Sequence, residues 1–239
     1  MEAGPLAEKL VLWIRDKVSA AGCGGVVIGI SGGIDSSVLA VLCQRAFPDS
    51  TLGVIMPCGS RPEDKEHAHL VASKFSVPTK EVVLDEVLHA LLGVLPDYKV
   101  SPDLARANLK ARLRMLTLYY MANQLGYMVA GSGNRSELAV GYFTKFGDGG
   151  VDFLPLGSLV KGEVRELARF LGVPDAIIDK PPSAGLWAGQ TDEAELGLSY
   201  DELDNYLLTG EASVEVRQKI ESMMAASEHK RSLPPIPDF

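Results

Sequence analysis

The sequence predicts an α/β fold in which a doubly wound parallel sheet carries helices on both faces. Short apolar runs rich in β-branched residues alternate with longer segments in which apolar residues recur at helical spacing. The strand-like runs are continuously apolar, which is typical of strands that are buried on both sides. This alternation indicates βαβ units, whose strands run parallel because each connection crosses the sheet.

Each predicted element follows from a local pattern. The first helix begins at Pro5, which suits a helix N-terminus, and its apolar repeat ends at Gly22. The elements that follow it are a strand at 26–30, a helix at 36–47, a strand at 51–55, a helix from 62, a strand near 81–84, a helix at 103–124, a strand at 127–130 and a helix at 161–171.

The rest of the chain has weaker patterns. Glycine-rich strings predict irregular structure between residues 131 and 160, and a loop is predicted at 181–190. Two helices close the chain, and Ser199 with Glu202 forms a capping-box pattern at the start of the first. We find no repeat or linker, so we expect a single domain over residues 1–239.

Composition limits the function classes. The chain has 239 residues, of which 46% are hydrophobic, so it can bury a sizeable core without disulfides or a structural metal. It carries 23 Lys and Arg against 31 Asp and Glu, a net charge of −8. Proteins that wrap nucleic acid have a basic excess instead. We therefore expect no nucleic-acid partner.

The cysteines and the apolar runs indicate the compartment. Cys23, Cys43 and Cys58 are odd in number and form no C-x-x-C pair, which favours free thiols in a reducing compartment such as the cytoplasm. The N-terminus carries Glu2 where a signal peptide would carry basic residues. The apolar runs are far shorter than the ~20 residues that span a bilayer, so we expect no membrane role.

A glycine-rich loop follows the first predicted strand and precedes a predicted helix. Backbone N–H groups in such a loop converge on an anion, and the helix N-terminus adds a partial positive charge. The alternative is an ordinary tight turn with a helix cap. The chain contains no G-x-x-x-x-G-K-[ST] and no G-x-G-x-x-G, which excludes the two commoner phosphate loops. The candidate nucleotide-binding residues of this loop are Gly29, Ile30, Ser31, Gly32, Gly33, Ile34, Asp35 and Ser36.

The string at 31–36 resembles the pyrophosphate loop of the ATP pyrophosphatases, which cleave ATP between its α and β phosphates. Four further strings, in the right order, resemble ammonia-dependent NAD synthetases, and the similarity runs from about residue 5 to 235. The resemblance implies an adenine nucleotide α-hydrolase-like fold and ATP-dependent amidation of deamido-NAD⁺ by ammonia, giving NAD⁺, AMP and pyrophosphate. The four strings are 108–115, 131–137, 141–152 and 227–231.

The resemblance also assigns residues to ATP and its metal. Asp35 and Glu137 would hold Mg²⁺ against the phosphates, and one or two carboxylates with phosphate suit this ion. Lys161 and Ser183 would grip the phosphates, and Ser132 would make a further ATP contact. The alternatives are a solvated loop acid for Glu137 and an ordinary first-turn helix lysine for Lys161.

Other residues are assigned by resemblance to the second substrate and to ammonia. Asp148 would handle the deprotonation of ammonium and, with Lys161, form the catalytic pair; its alternative is an Asp-Gly turn residue. His229 and Lys230 could instead complement a helix C-terminus. The residues assigned to deamido-NAD⁺ are Arg112, Lys145, Asp152, His229 and Lys230.

Two further patterns are interpreted as solvated surface. Arg106, Lys110 and Arg114 recur every four residues on the long helix, as the charges of an exposed helix face do. His67 and His69 lie two residues apart on a predicted helix, and such positions do not face each other, so metal binding there is not expected.

Two rival functions share the loop. A tRNA-modifying enzyme would need a basic surface and often carries paired cysteines, which the sequence lacks. A non-catalytic nucleotide-binding module would not need Asp35, Glu137 and Lys161 together. Glutamine-dependent relatives carry an additional amidase domain, for which a first helix near residue 5 leaves no room, so we expect ammonia as the nitrogen source.

The resemblance implies a homodimer. The helix at 103–124 supports it, because this helix has more apolar surface than one sheet face covers, and two-fold dimers are the commonest oligomers. The apolar residues concerned are Leu113, Leu116, Tyr119 and Tyr120.

Overall fold

A parallel four-stranded sheet forms the centre of the protein, and its strands occur in the order β3-β2-β1-β4. The computed structural model describes residues 2–96, 102–183 and 191–238, so residues 184–190 of the loop predicted at 181–190 lie outside the described residues. The strands are β1 (Val26–Gly29), β2 (Thr51–Ile55), β3 (Thr79–Glu81) and β4 (Met128–Ala130).

Helices surround the sheet and extend beyond it. The first seven are α1 (Ala3–Ala20), α2 (Ile34–Ala46), α3 (Pro62–Lys74), α4 (Asp85–Val94), α5 (Pro102–Leu125), α6 (Arg135–Val140) and α7 (Lys161–Leu171). They are followed by α8 (Asp175–Ile178), α9 (Asp192–Leu196), α10 (Tyr200–Thr209), α11 (Val214–Ala226) and α12 (Glu228–Arg231). No helix in the described part of the chain is long and apolar enough to cross a membrane.

The two faces of the sheet are covered by different helices. Successive side chains of a strand point to opposite faces, and β1 shows this directly. Val26 and Ile28 pack into a core with α1, α2 and α7, whereas Val27 packs with α5 on the other face. All three side chains are fully buried, which explains the continuous apolar run and confirms the doubly wound fold class.

The strand order places a cleft beside β1. The chain moves outward from β1 to β2 and β3, and then returns to place β4 on the other side of β1. Ligands of open α/β sheets bind outside the carboxyl ends of the strands where the order reverses in this way. The loop that follows β1 therefore lies at the expected ligand site.

The strand predicted near 81–84 is wrong in its bounds, since β3 ends at Glu81 and α4 begins at Asp85. The apolar residues between them still bond towards the neighbouring strand. The N–H of Val82 donates to the Ile55 carbonyl at 2.9 Å, and the N–H of Leu84 donates to the Pro57 carbonyl at 2.8 Å. The apolar run therefore forms a connection rather than a strand, in which Leu84 is buried and Val83 is exposed.

The segment predicted to be irregular at 131–160 contains the helix α6. Asn134 caps α6 through the N–H of Glu137, and the Glu137 carboxylate accepts the N–H of Asn134 at 3.0 Å. This is a capping box, and its N-x-x-E pattern is visible in the sequence. The capping box predicted at Ser199 is confirmed at the start of α10.

A third cluster of buried side chains joins the C-terminal helices to α6. Its largest members are Tyr200, Leu203 and Ile220, and Val140 of α6 packs among them. This cluster holds α10 and α11 against the end of the cleft, so the C-terminal helices have a direct connection to the candidate site.

Candidate active site

A cavity of about 630 Å³ opens at the carboxyl ends of β1, β2 and β4. The loop after β1, one side of α5, the segment 130–151 and the first residue of α7 line it. Thirteen of the residues predicted as a site lie in its wall, namely Gly29, Ile30, Ser31, Gly33, Ile34, Asp35, Ser36, Ser132, Glu137, Asp148, Lys161, Ser183 and Lys230.

The loop after β1 is ordered by its own hydroxyl groups. The Ser31 and Ser36 hydroxyls lie 2.9 Å apart, and the N–H of Gly33 donates to the Ser31 hydroxyl at 3.2 Å. Gly33 also occupies the N-cap position of α2, where no side chain caps the helix. The first turn of α2 therefore presents backbone N–H groups to the cavity, as an anion site requires.

Gly32 lies behind the loop rather than in the cavity wall. Its φ is +81°, and a Cβ atom there would lie 2.1 Å from the carbonyl oxygen of Asp64 in α3. Both the backbone conformation and this close approach require glycine. Gly32 thus allows the loop to pack directly on α3.

A lysine and two carboxylates from three separate elements meet in the cavity. The Lys161 ammonium lies 2.6 Å from the Asp35 carboxylate and 3.5 Å from that of Glu137. Asn134, the cap of α6, also donates to Asp35 at 2.9 Å. Lys161 is 2% exposed. Glu137 is therefore not a solvated loop acid, and Lys161 is not an ordinary surface lysine.

The pKa values of this group reflect burial and mutual attraction. Burial, together with the negative charge of Asp35, raises the pKa of Glu137 to about 8, although Lys161 opposes the change. Burial favours the neutral form of Lys161, but Asp35 and Glu137 outweigh it and raise the pKa of the ammonium. Lys161 is therefore charged at neutral pH.

The carboxylate pair suits a metal that is shared with phosphate. Asp35 and Glu137 both approach one cationic atom, so they can serve one ion. Within the described residues, no group of three or more His, Cys, Asp and Glu side chains could hold a metal. Mg²⁺ is typically bound through one or two carboxylates plus substrate phosphates, and Asp35 and Glu137 supply the carboxylates of such a site.

Asp148 lies across the cavity in a glycine-rich turn. Its side chain is exposed to the cavity, and its carboxylate accepts the N–H of Thr144 at 2.9 Å. Desolvation by the walls of the cavity raises the pKa of Asp148, while the N–H of Thr144 and the charges of Lys230 and Arg114 oppose the change. A carboxylate with a raised pKa is suited to accept a proton.

Lys230 is the one residue predicted to bind deamido-NAD⁺ that lines the cavity. Its ammonium donates to the carbonyls of Gly141 at 2.7 Å and Phe143 at 2.9 Å. Burial lowers the pKa of Lys230, although the charge of Asp148 opposes this. Lys230 thus connects α12 to the segment that carries Asp148.

The four other predicted dinucleotide contacts lie beside the cavity. The Arg112 guanidinium donates to the Lys145 carbonyl at 3.3 Å, and the Lys145 ammonium donates to the His229 carbonyl. Asp152 accepts the N–H of Val129 at 2.7 Å and the Tyr119 hydroxyl at 2.9 Å. Arg112, Lys145 and His229 therefore form a connected group of their own at the surface.

The solvated-face interpretation of α5 is wrong for two of its three cations. Lys110 is 8% exposed, and Arg114 lines the cavity, where its guanidinium donates to the Met56 carbonyl and the Ser60 hydroxyl, each at 3.2 Å. Only Arg106 is exposed. Along α5 the three positions thus pass from exposed Arg106 through buried Lys110 to Arg114 in the cavity wall.

An ion cluster that the sequence analysis missed lies behind the phosphate loop. Asp64 accepts hydrogen bonds from Lys180 at 2.7 Å and from Arg61 at 3.2 Å. His67 lies 3.4 Å from Lys180, and the exposed His69 pairs with Glu81 at 3.2 Å. Arg61, Asp64 and Lys180 all line the cavity, and no motif in the sequence marked them.

The fold and the site together define an α/β protein of the adenine nucleotide α-hydrolase-like class, with a glycine-rich loop after β1 and a carboxylate pair beside it. The sequence profile of the family described as NAD synthase matches residues 6–234. The chain belongs to this family, and the resemblance found in the sequence is confirmed.

Known relatives agree over the whole length. An NH₃-dependent NAD⁺ synthetase of Carboxydothermus hydrogenoformans is 53% identical, and the match covers 96% of each chain. Among solved structures, an NMN synthetase from Francisella tularensis matches with a TM-score of 0.94 at 37% identity, with full coverage of both chains. An NH₃-dependent NAD synthetase from Campylobacter jejuni matches with a TM-score of 0.82 at 28% identity, again with full coverage.

The ion cluster behind the loop gives a pH-dependent stability prediction. Burial alone would raise the pKa of Asp64, but hydrogen bonds from Lys180 and Arg61 lower it below its ordinary value. A depressed pKa in the folded state stabilises the fold above about pH 4, and this contribution is lost as the pH falls through that range. Asp64→Asn should therefore lower the free energy of unfolding by roughly 1–2 kcal/mol at pH 7.

Chemical denaturation at pH 7 and at pH 3 measures the effect. The difference between wild type and Asp64→Asn should shrink at pH 3. The exposed Asp49 provides the matched control, and Asp49→Asn should change the unfolding free energy by less than about 0.5 kcal/mol at either pH. A difference for Asp64→Asn that is the same at both pH values would contradict the assignment.

Proposed function

We propose that the chain catalyses the ATP-dependent amidation of deamido-NAD⁺ with ammonia, the last step of NAD biosynthesis, which gives NAD⁺, AMP and pyrophosphate. The observation that carries the proposal is the meeting of Asp35, Glu137 and Lys161 beside the phosphate loop. The same cavity contains Asp148, a carboxylate suited to accept a proton. One cavity thus offers groups for both halves of the reaction.

The first half activates the nicotinate carboxylate. A carboxylate is a poor acceptor for ammonia, because an oxide ion would have to leave. A carboxylate oxygen therefore attacks the α-phosphorus of ATP, and the bond from this phosphorus to the bridging oxygen of pyrophosphate breaks. Lys161 and the N–H groups at the start of α2 stabilise the charge that develops on pyrophosphate, and charge stabilisation of this kind is usually the largest catalytic contribution.

Asp35 and Glu137 would hold Mg²⁺ in the complex with ATP. The ion would supply charge neutralisation of the phosphate oxygens. The Lys161 ammonium lies between the two carboxylates and can donate hydrogen bonds to phosphate oxygens as well. Ser132 and Ser183 line the cavity and supply hydroxyl groups near the nucleotide.

The second half forms the amide. Ammonium has no free electron pair and must lose a proton before it can attack the carbonyl carbon of the adenylate. Asp148 accepts this proton, the C–N bond forms, and the bond to the AMP oxygen breaks. The second proton that the nitrogen loses on becoming an amide leaves with the AMP phosphate or goes to water. The raised pKa of Asp148 brings its basicity closer to that of the ammonium ion than an ordinary carboxylate would be.

The distal half of deamido-NAD⁺ would extend over the surface beside the cavity. Arg112, Lys145 and His229 lie there as a connected group, and Lys230 leads from it into the cavity. Cations at this place suit the diphosphate of the dinucleotide. Asp152 lies outside this group and accepts hydrogen bonds from a backbone N–H of β4 and from the Tyr119 hydroxyl.

Nicotinate mononucleotide is a second candidate for the amidated substrate. It carries the same reacting carboxylate and lacks the distal half. Two observations favour it: the backbone is very similar to that of the Francisella NMN synthetase, and the donors of Arg112 and Lys145 are bonded within the chain. The dinucleotide remains the first choice because of the 53% identity to an NH₃-dependent NAD⁺ synthetase.

The proposed enzyme works as a homodimer in the cytoplasm. Leu116 and Tyr120 of α5 are 62% and 66% exposed, and Tyr119 is half-buried, whereas Leu113 is buried within its own chain. The exposed pair supports a two-fold interface along α5. Sedimentation of the active protein at twice 25.6 kDa tests it. The three cysteines are free thiols, as a reducing compartment favours.

A single activity assay tests the proposal. Purified protein should make AMP and pyrophosphate from ATP only when ammonium and a nicotinate nucleotide are both present, and glutamine should not replace ammonium. Deamido-NAD⁺ and nicotinate mononucleotide are compared by kcat/KM. Arg112→Ala should lower kcat/KM for the dinucleotide alone. AMP formation that does not depend on either nucleotide would overturn the function.

Asp35 and Glu137 should behave as one metal site. Asp35→Asn or Glu137→Gln keeps the shape and removes one charge, so each should lower kcat by about 10²–10³-fold, or roughly 3–4 kcal/mol. Groups that act as a unit are strongly non-additive, so the double variant should be little worse than the poorer single one.

The readout for the metal pair is nucleotide-dependent AMP formation at limiting Mg²⁺, with circular dichroism to confirm folding. Glu195 lines the same cavity and provides a control carboxylate. Glu195→Gln should not change the Mg²⁺ dependence. A Glu137→Gln enzyme with full activity at limiting Mg²⁺ would contradict the shared site.

Asp148 should act only in the second half of the reaction. Asp148→Asn cannot accept the proton of ammonium, so net amide formation should fall by about 10²-fold or more. The exchange of labelled pyrophosphate into ATP, which reports the first half alone, should stay within about threefold of wild type. An equal loss in both assays would assign Asp148 to substrate binding instead.

A further inference from the structure

Two buried residues of α10 contact Lys161 from one side. Tyr200 and Asp204 are four positions apart, so they lie on the same face of the helix. They are 0% and 7% exposed. Neither belongs to the loop after β1 or to the carboxylate pair. Both lie beside Lys161, one at its backbone and one at its ammonium.

Asp204 holds the backbone of Lys161. Val160, the N-cap residue of α7, makes no side-chain cap. The Asp204 carboxylate instead accepts the N–H of Gly162 at 2.7 Å. The N–H of Lys161 donates to the Ser136 hydroxyl of α6 at 3.0 Å and lies 3.4 Å from Asp204, which accepts the hydrogen bond of the Ser136 hydroxyl. A carboxylate at a helix N-terminus is favourable because of the unpaired N–H groups there. The cap of α7 is thus supplied by a different helix.

Tyr200 holds the other end of the same residue. The Lys161 ammonium lies 5.0 Å from the centre of the Tyr200 ring, within the range of a cation–π contact. A ring face attracts the ammonium without occupying the N–H groups of the ammonium, whereas a carboxylate accepts hydrogen bonds from them. The contact can therefore persist when Lys161 exchanges a carboxylate partner for a phosphate oxygen.

The ring is itself fixed by a buried carboxylate. The Tyr200 hydroxyl donates to Asp192 at 3.1 Å. The other oxygen of Asp192 lies 3.1 Å from the Tyr142 hydroxyl, whose nearer acceptor is Glu195 at 2.7 Å. Asp192 is 4% exposed, and its bond to the Tyr200 hydroxyl helps to hold the ring at one orientation beneath the ammonium.

We propose that the Tyr200–Asp204 face of α10 is the positioning element for Lys161, with Asp204 fixing its backbone and Tyr200 fixing its ammonium for contact with the phosphates of ATP. The proposal rests on the proposed function, in which Lys161 grips ATP. Tyr200 and Asp204 are positioning residues that act through Lys161.

Calorimetric affinity for ATP with Mg²⁺ tests the ring. Tyr200→Leu removes the ring and should weaken binding about five- to thirtyfold. Tyr200→Phe keeps the ring and should restore most of the affinity. Tyr206 is the matched control: it lies on the same helix, its ring lies 6.0 Å from Arg217, and its hydroxyl donates to Glu221 at 3.0 Å. Tyr206→Leu should change the affinity less than about twofold.

A double-mutant cycle separates positioning from general damage, and it needs no turnover. In a Lys161→Met background, Tyr200→Leu should have almost no further effect, because there is no ammonium left to position. The same loss in both backgrounds would overturn this inference and leave the proposed function intact. Unchanged ATP affinity in Lys161→Met alone would overturn the role of Lys161 and the inference with it.

Asp204→Asn provides a second arm if Tyr200→Leu does not fold. It keeps the size of the side chain and removes the charge that caps α7. It should weaken ATP binding about threefold with Lys161 present and not in the Lys161→Met background. An effect of equal size in both backgrounds would show that Asp204 supports the fold alone.

Discussion

The buried ion pair between Lys161 and Asp35 is the contact on which the rest of the site depends. It joins the first turn of α2 to the first turn of α7, and Glu137 adds the start of α6. Removing one member of a buried pair leaves an uncompensated charge, which is far more costly than the pair itself is stabilising. Three helix N-termini are therefore held together by one ammonium group.

The polar side chains around this ion pair are hydrogen-bonded to one another. Asn134 both caps α6 and donates to Asp35, so the position of Glu137 and the orientation of Asp35 are set by the same side chain. Buried polar networks of this kind specify one structure when every member is satisfied. The side chains of the cavity are thus held in place by contacts within the protein, and preorganisation of this kind lowers the cost of binding.

The sequence predicted most of the fold because its signals are local. The apolar run at 26–30 and the helical repeat of α7 depend on burial at fixed spacing, and both elements were found within one residue of their bounds. The strand β3 has three residues, and an apolar run beyond it serves a connection, so periodicity alone misplaced it. The N-x-x-E capping box at the start of α6 is visible in the sequence, but the glycine-rich composition around it favoured an irregular segment.

The site was predictable only where a motif marks it. The phosphate loop, Asp35, Glu137 and Lys161 were found because short strings carry them, and the structure brings them into one cavity. Arg114 was missed because a four-residue charge repeat looks the same whether it faces solvent or a cleft. Tyr200 and Asp64 contact the site only through tertiary packing, which a single sequence does not display.

The Asp152 side chain has a consequence for how copies of the protein meet. It accepts a backbone N–H of β4, the last strand of the sheet, and residues 152 and 153 bond to the same side of that strand. An exposed edge strand can recruit the edge of another molecule and lead to aggregation. Here that edge is already occupied by the chain itself. Association through a continuous sheet is therefore blocked at the β4 edge.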